Sequence, residues 1–263
     1  MVNKSNSFLF KTPDPQIKKR LAFSLQSCQL CDEALQDKPF LCNNCHLDLP
    51  RTKIMCANCC LPLELKYSEH DTTTLICGEC LAYPPSFTKA VCPFIYTFPV
   101  IQLIRQIKYS KQRYWVKFFS WALNKEYLFK LKNHTVKQPD FLVPIPMHKS
   151  KIKIRGYNQA ELIAQSLAKK TGIPIKNKAL IKTSPTDTQT QLNKQERMQN
   201  LKHSFAIAQK EFQRKDLKGK HVALVDDVMT TKATCELASR LLLQHGVKQV
   251  DVWCLARTPK LRS

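Results

Sequence analysis

The chain has 263 residues, is 43% hydrophobic and carries a formal net charge of +22. Its length and apolar content predict one large core and one small module. A membrane-spanning helix is excluded because no run of about 18 apolar residues occurs, and the N-terminus lacks the apolar segment of a signal peptide. We therefore expect a cytoplasmic protein without membrane insertion.

The positive charge lies in the segments before and after the paired cysteines. Residues 1–27, a basic N-terminal arm, carry five lysines and arginines against one acid, and residues 91–263 carry 32 against 11. Residues 28–90 are more acidic, with five basic and eight acidic side chains. A basic surface of this size favours nucleic acid as a partner, although a solvated face that only aids solubility would have the same composition.

Eight of the twelve cysteines form four pairs with two residues between the partners. The pairs are Cys28 and Cys31, Cys42 and Cys45, Cys56 and Cys59, and Cys77 and Cys80. Because cytosolic thiols stay reduced, this spacing indicates metal binding rather than disulfides. Two such pairs complete a tetrahedral zinc site, so we expect two structural zinc ions, each held by two consecutive pairs. A cross-braced pairing would also satisfy the spacing.

Other cysteines and histidines near these pairs are weaker candidates. The alternative zinc ligands are Cys60, His46 and His70. Cys92, Cys235 and Cys254 lack a paired partner in the sequence, so we expect them to be buried structural residues. Since little apolar sequence separates the pairs, the cysteine module should need metal to fold.

A short stiff linker, Tyr83-Pro84-Pro85-Ser86, follows the cysteine pairs. It predicts a boundary between a double zinc-ribbon module of residues 28–85 and a second domain of residues 86–263. Val91–Phe98 is the first strand that we predict after the linker.

Two predicted helices, Val100–Lys108 and Tyr114–Leu131, come next. The second contains five aromatic residues: Tyr114, Trp115, Phe118, Phe119 and Trp121. Their helical spacing predicts a core helix, with stacking on nucleic acid bases as the alternative.

A predicted strand, FLVPIP from Phe141, runs into a predicted basic loop. The loop contains His148, Lys149, Lys151, Lys153 and Arg155 ahead of Gly156. Tyr157-Asn158-Gln159 then opens a predicted amphipathic helix. This cluster of cations suits a polyanion, whereas an ordinary surface loop is the alternative.

The run His221–Val225 predicts a buried parallel strand, and Thr234–His245 predicts a helix. Asp226, Asp227 and a hydroxyl-rich turn lie between them. Carboxylates can accept hydrogen bonds from vicinal hydroxyls, and the free N–H groups at a helix start attract an anion. The segment therefore predicts a site for a sugar phosphate such as ribose 5-phosphate.

The sequence VALVDDVMTTKAT of residues 222–234 resembles the phosphoribosyl pyrophosphate motif of type I phosphoribosyltransferases. The resemblance implies an α/β fold with a mainly parallel sheet and flanking helices, beside the small N-terminal zinc-ribbon module with its four-cysteine sites. It also implies that Asp226 and Asp227 bind the ribose 2- and 3-hydroxyls. The residues that would hold the 5-phosphate are Met229, Thr230, Thr231, Lys232, Ala233 and Thr234.

The same resemblance implies that the pyrophosphate group binds at Arg155 and Gly156 together with magnesium. Asp226, Asp227 and Arg155 would be the catalytic residues. Lys232 departs from the family, which usually has glycine at this position. Its side chain would either add a cation beside the phosphate or weaken the site.

Several segments together resemble the competence protein F (ComF) family. They are PIP, RGYNQAELIAQSLA, TDTQTQLNKQERMQN and VALVDDVMTTKAT, behind the paired cysteines. In the third segment the matching residues are Thr186, Gln189, Leu192, Arg197 and Asn200, and Tyr96–Lys108 resembles the family segment that leads to a lysine, here Lys108. The resemblance implies a role in natural transformation, in which single-stranded DNA is handled in the cytoplasm. The fold alone does not imply catalysis.

Three functional hypotheses follow. The first, which we favour, is a DNA-processing factor that binds single strands on its basic C-terminal domain and uses phosphoribosyl pyrophosphate as substrate or signal. The second is a metabolic phosphoribosyltransferase with a small-molecule acceptor. The third is an adaptor whose zinc module binds a competence helicase or another DNA-uptake protein and whose sugar-phosphate site is a relic.

Overall fold

The computed structural model describes residues 27–35, 40–51, 54–63, 75–109, 114–183, 204–208 and 217–260. Nearly all of the basic arm, His70 and the motif of residues 186–200 lie outside these ranges. The helices are α1 (Asn43–Leu47), α2 (Gly78–Ala82), α3 (Val100–Tyr109), α4 (Tyr114–Lys132), α5 (Lys149–Arg155), α6 (Gln159–Thr171) and α7 (Ala233–Gln244). The strands are β1 (Ala90–Val91), β2 (Phe94–Ile95), β3 (Phe141–Pro144), β4 (Leu180–Lys182), β5 (Phe205–Ile207), β6 (His221–Met229) and β7 (Gln249–Arg257).

A parallel sheet forms the centre of the fold. Its order is β1-β7-β6-β3, and β2 also pairs with β7. All of these pairings are parallel, as expected for strands that read as nearly continuous apolar runs and are covered on both faces. β4 and β5 form a separate antiparallel pair. The predicted α/β fold with a mainly parallel sheet and flanking helices is confirmed.

The chain divides into two compact units, Met1–Leu49 and Pro50–Ser263. The boundary that the linker predicts after residue 85 stays a prediction, whereas this division falls after Leu49. Cys56, Cys59, Cys77 and Cys80 are buried in one core cluster with residues of the sheet, such as Val252. The second cysteine group is therefore part of the larger unit.

The aromatic residues of α4 lie mainly in the core. Trp115, Phe118 and Phe119 are buried, and the ring of Phe119 meets that of Phe94 edge to face, with centroids 5.6 Å apart. The buried rings fit the predicted core helix, because a side chain inside the core has no face available for stacking on a base.

Three elements differ from their predicted forms. The predicted strand Val91–Phe98 is interrupted between β1 and β2 at Cys92 and Pro93, since proline has no N–H to donate to the sheet. Residues of the predicted basic loop form α5 instead, which His148 caps and Gly156 ends in the left-handed conformation at φ 80°. The central strand extends beyond Val225 to Met229, because β7 continues to pair with it.

In the described ranges, no helix is both long enough and apolar enough to cross a membrane.

Candidate functional site

Two adjacent carboxylates lie near the carboxyl end of the central strand. Asp226 and Asp227 belong to β6, which lies between β7 and β3 in the sheet. The carboxyl ends of parallel strands share one edge, and ligands of open α/β sheets bind at that edge. The N–H of Asp227 donates to the Asp226 carboxylate, and the N–H of Val228 donates to the Asp227 carboxylate, each at 2.8 Å.

A lysine from helix α3 forms an ion pair with one of the two acids. The ammonium of Lys108, near the end of α3, lies 2.6 Å from a carboxylate oxygen of Asp227. Burial alone lowers the pKa of Lys108, but the charge of Asp227 and its hydrogen bond outweigh this effect and raise the pKa above its ordinary value. Lys108 therefore stays charged and offsets part of the repulsion between the acids.

The surroundings of Asp226 disfavour its charged form. Burial and then the neighbouring charge of Asp227 raise its pKa from the ordinary 3.8 to about 7. A carboxyl with this pKa is about half protonated at neutral pH, and such shifts cluster at functional sites. Asp226 thus exchanges a proton near pH 7, beside the carboxylate that pairs with Lys108.

The segment Met229–Thr234, for which the sequence predicts phosphate binding and which we call the phosphate loop, runs from the last residue of β6 into the start of α7. Its backbone is held by Arg257, the last residue of β7, which is buried. The guanidinium donates to the carbonyl oxygens of Met229 and Thr258 at 3.0 Å and to that of Thr230. Its Nε donates to the carbonyl oxygen of Cys59 at 3.1 Å. One buried side chain therefore fixes the start of the loop.

The phosphate loop ends at the start of α7. Thr230 and Thr231 are exposed, and Ala233 and Thr234 are partly exposed. The first N–H groups of a helix have no partner within the helix and carry the positive end of its dipole. Together with the hydroxyls of the threonines, they give this loop the donors that a phosphate needs.

Lys232 adopts the conformation expected of the glycine that it replaces, but its side chain does not face the open side of the loop. Its φ is +66°. The side chain is 8% exposed, with the ammonium 3.1 Å from Glu79 Oε1 and 3.4 Å from Cys80 Sγ. The ammonium thus sits on the second cysteine group, so it does not supply the cation beside the phosphate that was one of the two sequence-based alternatives.

Arg155 and Gly156 lie at the end of α5, in the connection that follows β3. Arg155 Nη1 lies 3.4 Å from Gln159 Oε1. Asn158 Nδ2 donates to the carbonyl of Ile145 at 2.9 Å, which attaches this connection to the residue after β3. Since β3 and β6 are parallel neighbours, Arg155 and Gly156 belong to the same sheet edge as Asp226.

The residues after Gly156 also contact the helix that carries Lys108. The hydroxyl of Tyr157, which is buried, donates to the carbonyl of Ile107. The end of α3, the α5 connection and the carboxyl end of β6 therefore converge at one edge.

The eight paired cysteines form two groups, each with sequential pairing. The first is Cys28, Cys31, Cys42 and Cys45, and the second is Cys56, Cys59, Cys77 and Cys80. Within each group all sulfurs lie within 4.8 Å of one another, and the Sγ atoms of Cys31 and Cys42, and of Cys59 and Cys77, are 3.7 Å apart. Sulfurs about 2.3 Å from a tetrahedral zinc ion are about 3.8 Å apart, so both groups fit zinc.

Cys56 of the second group already favours the thiolate, whereas burial raises the pKa of Cys59 and also that of Cys80, to about 11. Burial raises the pKa of Cys56, but backbone N–H donors, among them that of Cys77 at 3.3 Å, outweigh it and lower the pKa to about 7. Because the thiolate is the form that binds metal, these donors prepare Cys56 as a zinc ligand.

The alternative ligands fall outside both groups. The thiol of Cys60 donates to the carbonyl of Ala90 at 3.1 Å, and His46 does not belong to the first group. His70 lies outside the described residues. Cys92, Cys235 and Cys254 are buried in the core, as expected for structural thiols.

Two residues that sequence reasoning did not assign to the site are important in the structure. Lys108 was noted only by family resemblance, without a role, and Arg257 was not noted. A signal for Arg257 does exist, because it is a cation that ends a nearly all-apolar strand, and such a charge needs partners when it is buried. No comparable pattern would have paired Lys108 with Asp227.

Comparison with known proteins gives three kinds of likeness. Residues 123–263 match the family model described as phosphoribosyl transferase domain. Competence protein F of Haemophilus influenzae is 33% identical over 82% of this chain and 90% of its own length. DNA utilization protein YhgH of Escherichia coli K12 is 31% identical over 83% of this chain and 90% of its own length.

Among solved structures, a purine phosphoribosyltransferase from Pyrococcus horikoshii Ot3 is 21% identical. The match covers 54% of this chain and 73% of that one, with a TM-score of 0.30. A likeness of this size does not bear on function.

Proposed function

This chain belongs to the ComF family of proteins with a phosphoribosyltransferase fold, and on that basis we propose that it binds phosphoribosyl pyrophosphate with magnesium and handles single-stranded DNA in the cytoplasm during natural transformation. One observation carries the proposal. Asp226 and Asp227 lie beside the phosphate loop at the carboxyl edge of the sheet, where both halves of a ribose 5-phosphate would have partners.

The ribose needs hydrogen-bond acceptors and its 5-phosphate needs donors, and this edge of the sheet would supply both. Asp226 and Asp227 offer carboxylate oxygens that accept hydrogen bonds from two vicinal hydroxyls. The 5-phosphate would bind the threonine hydroxyls and the N–H groups at the start of α7. Arg257 holds the loop backbone in place before any ligand binds, which reduces the entropy lost on binding.

The pyrophosphate group would bind near Arg155 and Gly156, where α5 adds basic side chains. Magnesium prefers oxygen ligands, and the carboxylates at this edge are of that type, so the donor set fits the ion. When bound, magnesium would neutralise part of the charge on the pyrophosphate.

Single-stranded DNA would bind the basic surface of the same unit. Lys149 and Lys153 of α5 are exposed, and Lys151 is partly exposed. Phosphates attract such a surface irrespective of base sequence. The names of the relatives, competence protein F and DNA utilization protein, support a role connected with DNA.

Calorimetric titration of the full chain with phosphoribosyl pyrophosphate and magnesium tests the first part. We expect saturable binding that the double variant Asp226→Asn, Asp227→Asn abolishes. Asp140→Asn is the matched control, because Asp140 precedes β3 at the opposite end of the sheet, where it accepts a hydrogen bond from the N–H of His221. Absence of binding in the unaltered protein would contradict the proposal.

Fluorescence anisotropy with a single-stranded oligonucleotide tests the second part. Charge reversal of Lys149, Lys151 and Lys153 to glutamate should weaken binding strongly and flatten its salt dependence. The control reverses Lys218, Lys220 and Lys248, which are exposed and precede β6 and β7 at the other sheet edge. Equal losses in the two triple variants would mean that only net charge matters.

Release of pyrophosphate across a panel of nucleobases and amines separates turnover from binding. Release that depends on Asp226 and Asp227 would favour the metabolic hypothesis. Binding of an uptake protein that survives loss of both acids but fails on replacement of Cys28 and Cys31 would favour the adaptor hypothesis.

A further inference from the structure

The second cysteine group and the phosphate loop are joined by side chains from both sides. This group consists of Cys56, Cys59, Cys77 and Cys80, and the loop is Met229–Thr234. Both belong to the unit Pro50–Ser263. The contacts between them are unexpected for a zinc module that serves only as a separate structural element.

Lys232 makes the most direct connection. Its backbone is part of the phosphate loop, where it precedes the first residue of α7. Its ammonium lies 3.4 Å from Cys80 Sγ and 3.1 Å from Glu79 Oε1. Lysine is rarely buried without a charged partner, so the position of the side chain depends on negative charge at the cysteine group.

The backbone conformation of Lys232 strengthens this dependence. A non-glycine residue at φ +66° is strained, and such a conformation persists only where the surroundings enforce it. The ammonium contacts to Cys80 and Glu79 are surroundings of this kind. Without these contacts, the loop conformation that exposes its N–H groups is less stable relative to other conformations.

Two other contacts run in parallel. Arg257 donates both to the carbonyl of Cys59, a residue of the cysteine group, and to the carbonyl of Met229 in the loop. On the far side of the loop, Glu236 in the first turn of α7 accepts hydrogen bonds from the hydroxyl of Ser86 at 2.6 Å and from its N–H at 2.8 Å. Ser86 lies shortly after Cys80, so the segment that leaves the group also contacts this helix.

We infer that Lys232 is a positioning residue that couples the second zinc site to the phosphate loop, so that zinc at Cys56, Cys59, Cys77 and Cys80 is needed for tight binding of the sugar phosphate. The inference rests on the proposed function, because it assigns a role within the same site. Four thiolates around Zn²⁺ carry a net negative charge, which holds the buried ammonium and, through it, the loop. Occupancy of the first zinc site does not enter this coupling, since all of the contacts above lie within residues 50–263.

Binding of ribose 5-phosphate to the full-length zinc-loaded protein tests the inference. Lys232→Met removes the ammonium but keeps an unbranched side chain, and it should weaken binding about tenfold, the effect expected of one charge-assisted hydrogen bond. Lys89→Met is the matched control. The ammonium of Lys89 lies 3.4 Å from Oδ1 of Asn58, which stands between Cys56 and Cys59, and among the described hydrogen bonds it makes none to the phosphate loop. Equal affinity of unaltered protein, Lys232→Met and Lys89→Met would overturn the inference.

A spectroscopic measurement separates coupling from a general structural effect. With cadmium in place of zinc, ribose 5-phosphate should shift the cadmium NMR signal of the second site in the unaltered protein and in Lys89→Met, but not in Lys232→Met. The variant Cys28→Ser, Cys31→Ser removes the signal of the first site and so assigns the two. An unshifted signal in the unaltered protein, or a shift that survives Lys232→Met, would overturn the coupling.

Lys232→Gly keeps the test valid if the methionine variant does not fold, because glycine adopts positive φ without strain. It should lose the cadmium shift as well. If the unaltered protein binds neither phosphoribosyl pyrophosphate with magnesium nor ribose 5-phosphate, the proposed function fails and the coupling falls with it; if it binds only the former, the coupling is tested with phosphoribosyl pyrophosphate as the ligand. If it binds but all variants bind and shift alike, only the coupling fails.

Discussion

Lys108 and Asp227 form an ion pair of 2.6 Å that joins the end of α3 to the end of the central strand. Both side chains are largely buried, with 21% and 16% of their surfaces exposed. The pair brings a cation to a place where two carboxylates stand side by side. Its positive charge therefore reduces the electrostatic repulsion between Asp226 and Asp227 in the folded protein without a ligand.

Replacing Lys108 with methionine should lower the free energy of unfolding by about 2–4 kcal/mol, since it leaves a largely buried carboxylate without its partner. Urea denaturation monitored by fluorescence would measure the change. Lys220→Met is the control, because Lys220 pairs with Asp140 at 3.7 Å with 47% and 43% of the two side chains exposed, and loss of such an exposed pair changes stability by less than about 1 kcal/mol. Similar losses in both variants would show that the Lys108 pair has no special importance.

Asp226 should make the protein less stable as the pH rises toward neutrality. Burial and the charge of Asp227 raise its pKa from 3.8 to about 7. Between these values the unfolded chain loses the proton while the folded state keeps it, so the free energy of unfolding falls across this window and levels off above it. Asp226→Asn removes the effect.

The thermal midpoint of Asp226→Asn should therefore exceed that of the unaltered protein at pH 8, and the difference should shrink toward pH 4. A change of 1 kcal/mol corresponds to about 2–4 °C in a domain of this size, which calorimetry resolves. Asp140→Asn, at the opposite end of the sheet, should show no such trend. A constant difference at all pH values would contradict the raised pKa.

Arg257→Met should destabilise the protein by about 3 kcal/mol or more, because it removes the donor to the carbonyl groups of Cys59, Met229, Thr230 and Thr258, and buried carbonyls without a donor are unfavourable. It should also weaken binding of ribose 5-phosphate. Arg240→Met serves for comparison, since Arg240 is exposed and pairs only with Glu236 among the described ion pairs. A loss below about 1 kcal/mol, as expected for that surface pair, would mean that water replaces Arg257.

The two cysteine groups should differ in their effect on the larger unit. Cys56→Ser with Cys59→Ser should lower its stability by several kcal/mol, because these cysteines are fully buried in its core and structural zinc contributes about 10–16 kcal/mol in zinc-finger peptides. Cys28→Ser with Cys31→Ser should leave it nearly unchanged. All three tryptophans, Trp115, Trp121 and Trp253, lie in Pro50–Ser263, so tryptophan fluorescence reports on that unit alone.

Much of the fold follows from local pattern. The helices Val100–Tyr109 and Tyr114–Lys132 agree with their periodicity to within one residue. The two cysteine groups agree with the predicted sequential pairing of the four cysteine pairs, since a spacing of two residues already directs both sulfurs of a pair at one point. The basic segment before Gly156 became a helix instead of a loop, because nothing in residues 149–155 prevents helical backbone and a glycine ends it.

Short stretches of the chain already indicate the residue types of the site: adjacent acids after an aliphatic strand, a hydroxyl-rich turn, a basic segment and paired cysteines. Each of these patterns involves residues that are close together in the sequence, so it can be recognised without a structure. The three-dimensional arrangement alone shows which groups meet across long separations, such as Lys232 with Cys80, 152 residues apart, and Arg257 with Cys59, 198 residues apart. Those contacts depend on how the sheet brings distant segments together, and local residue spacing does not predict that arrangement.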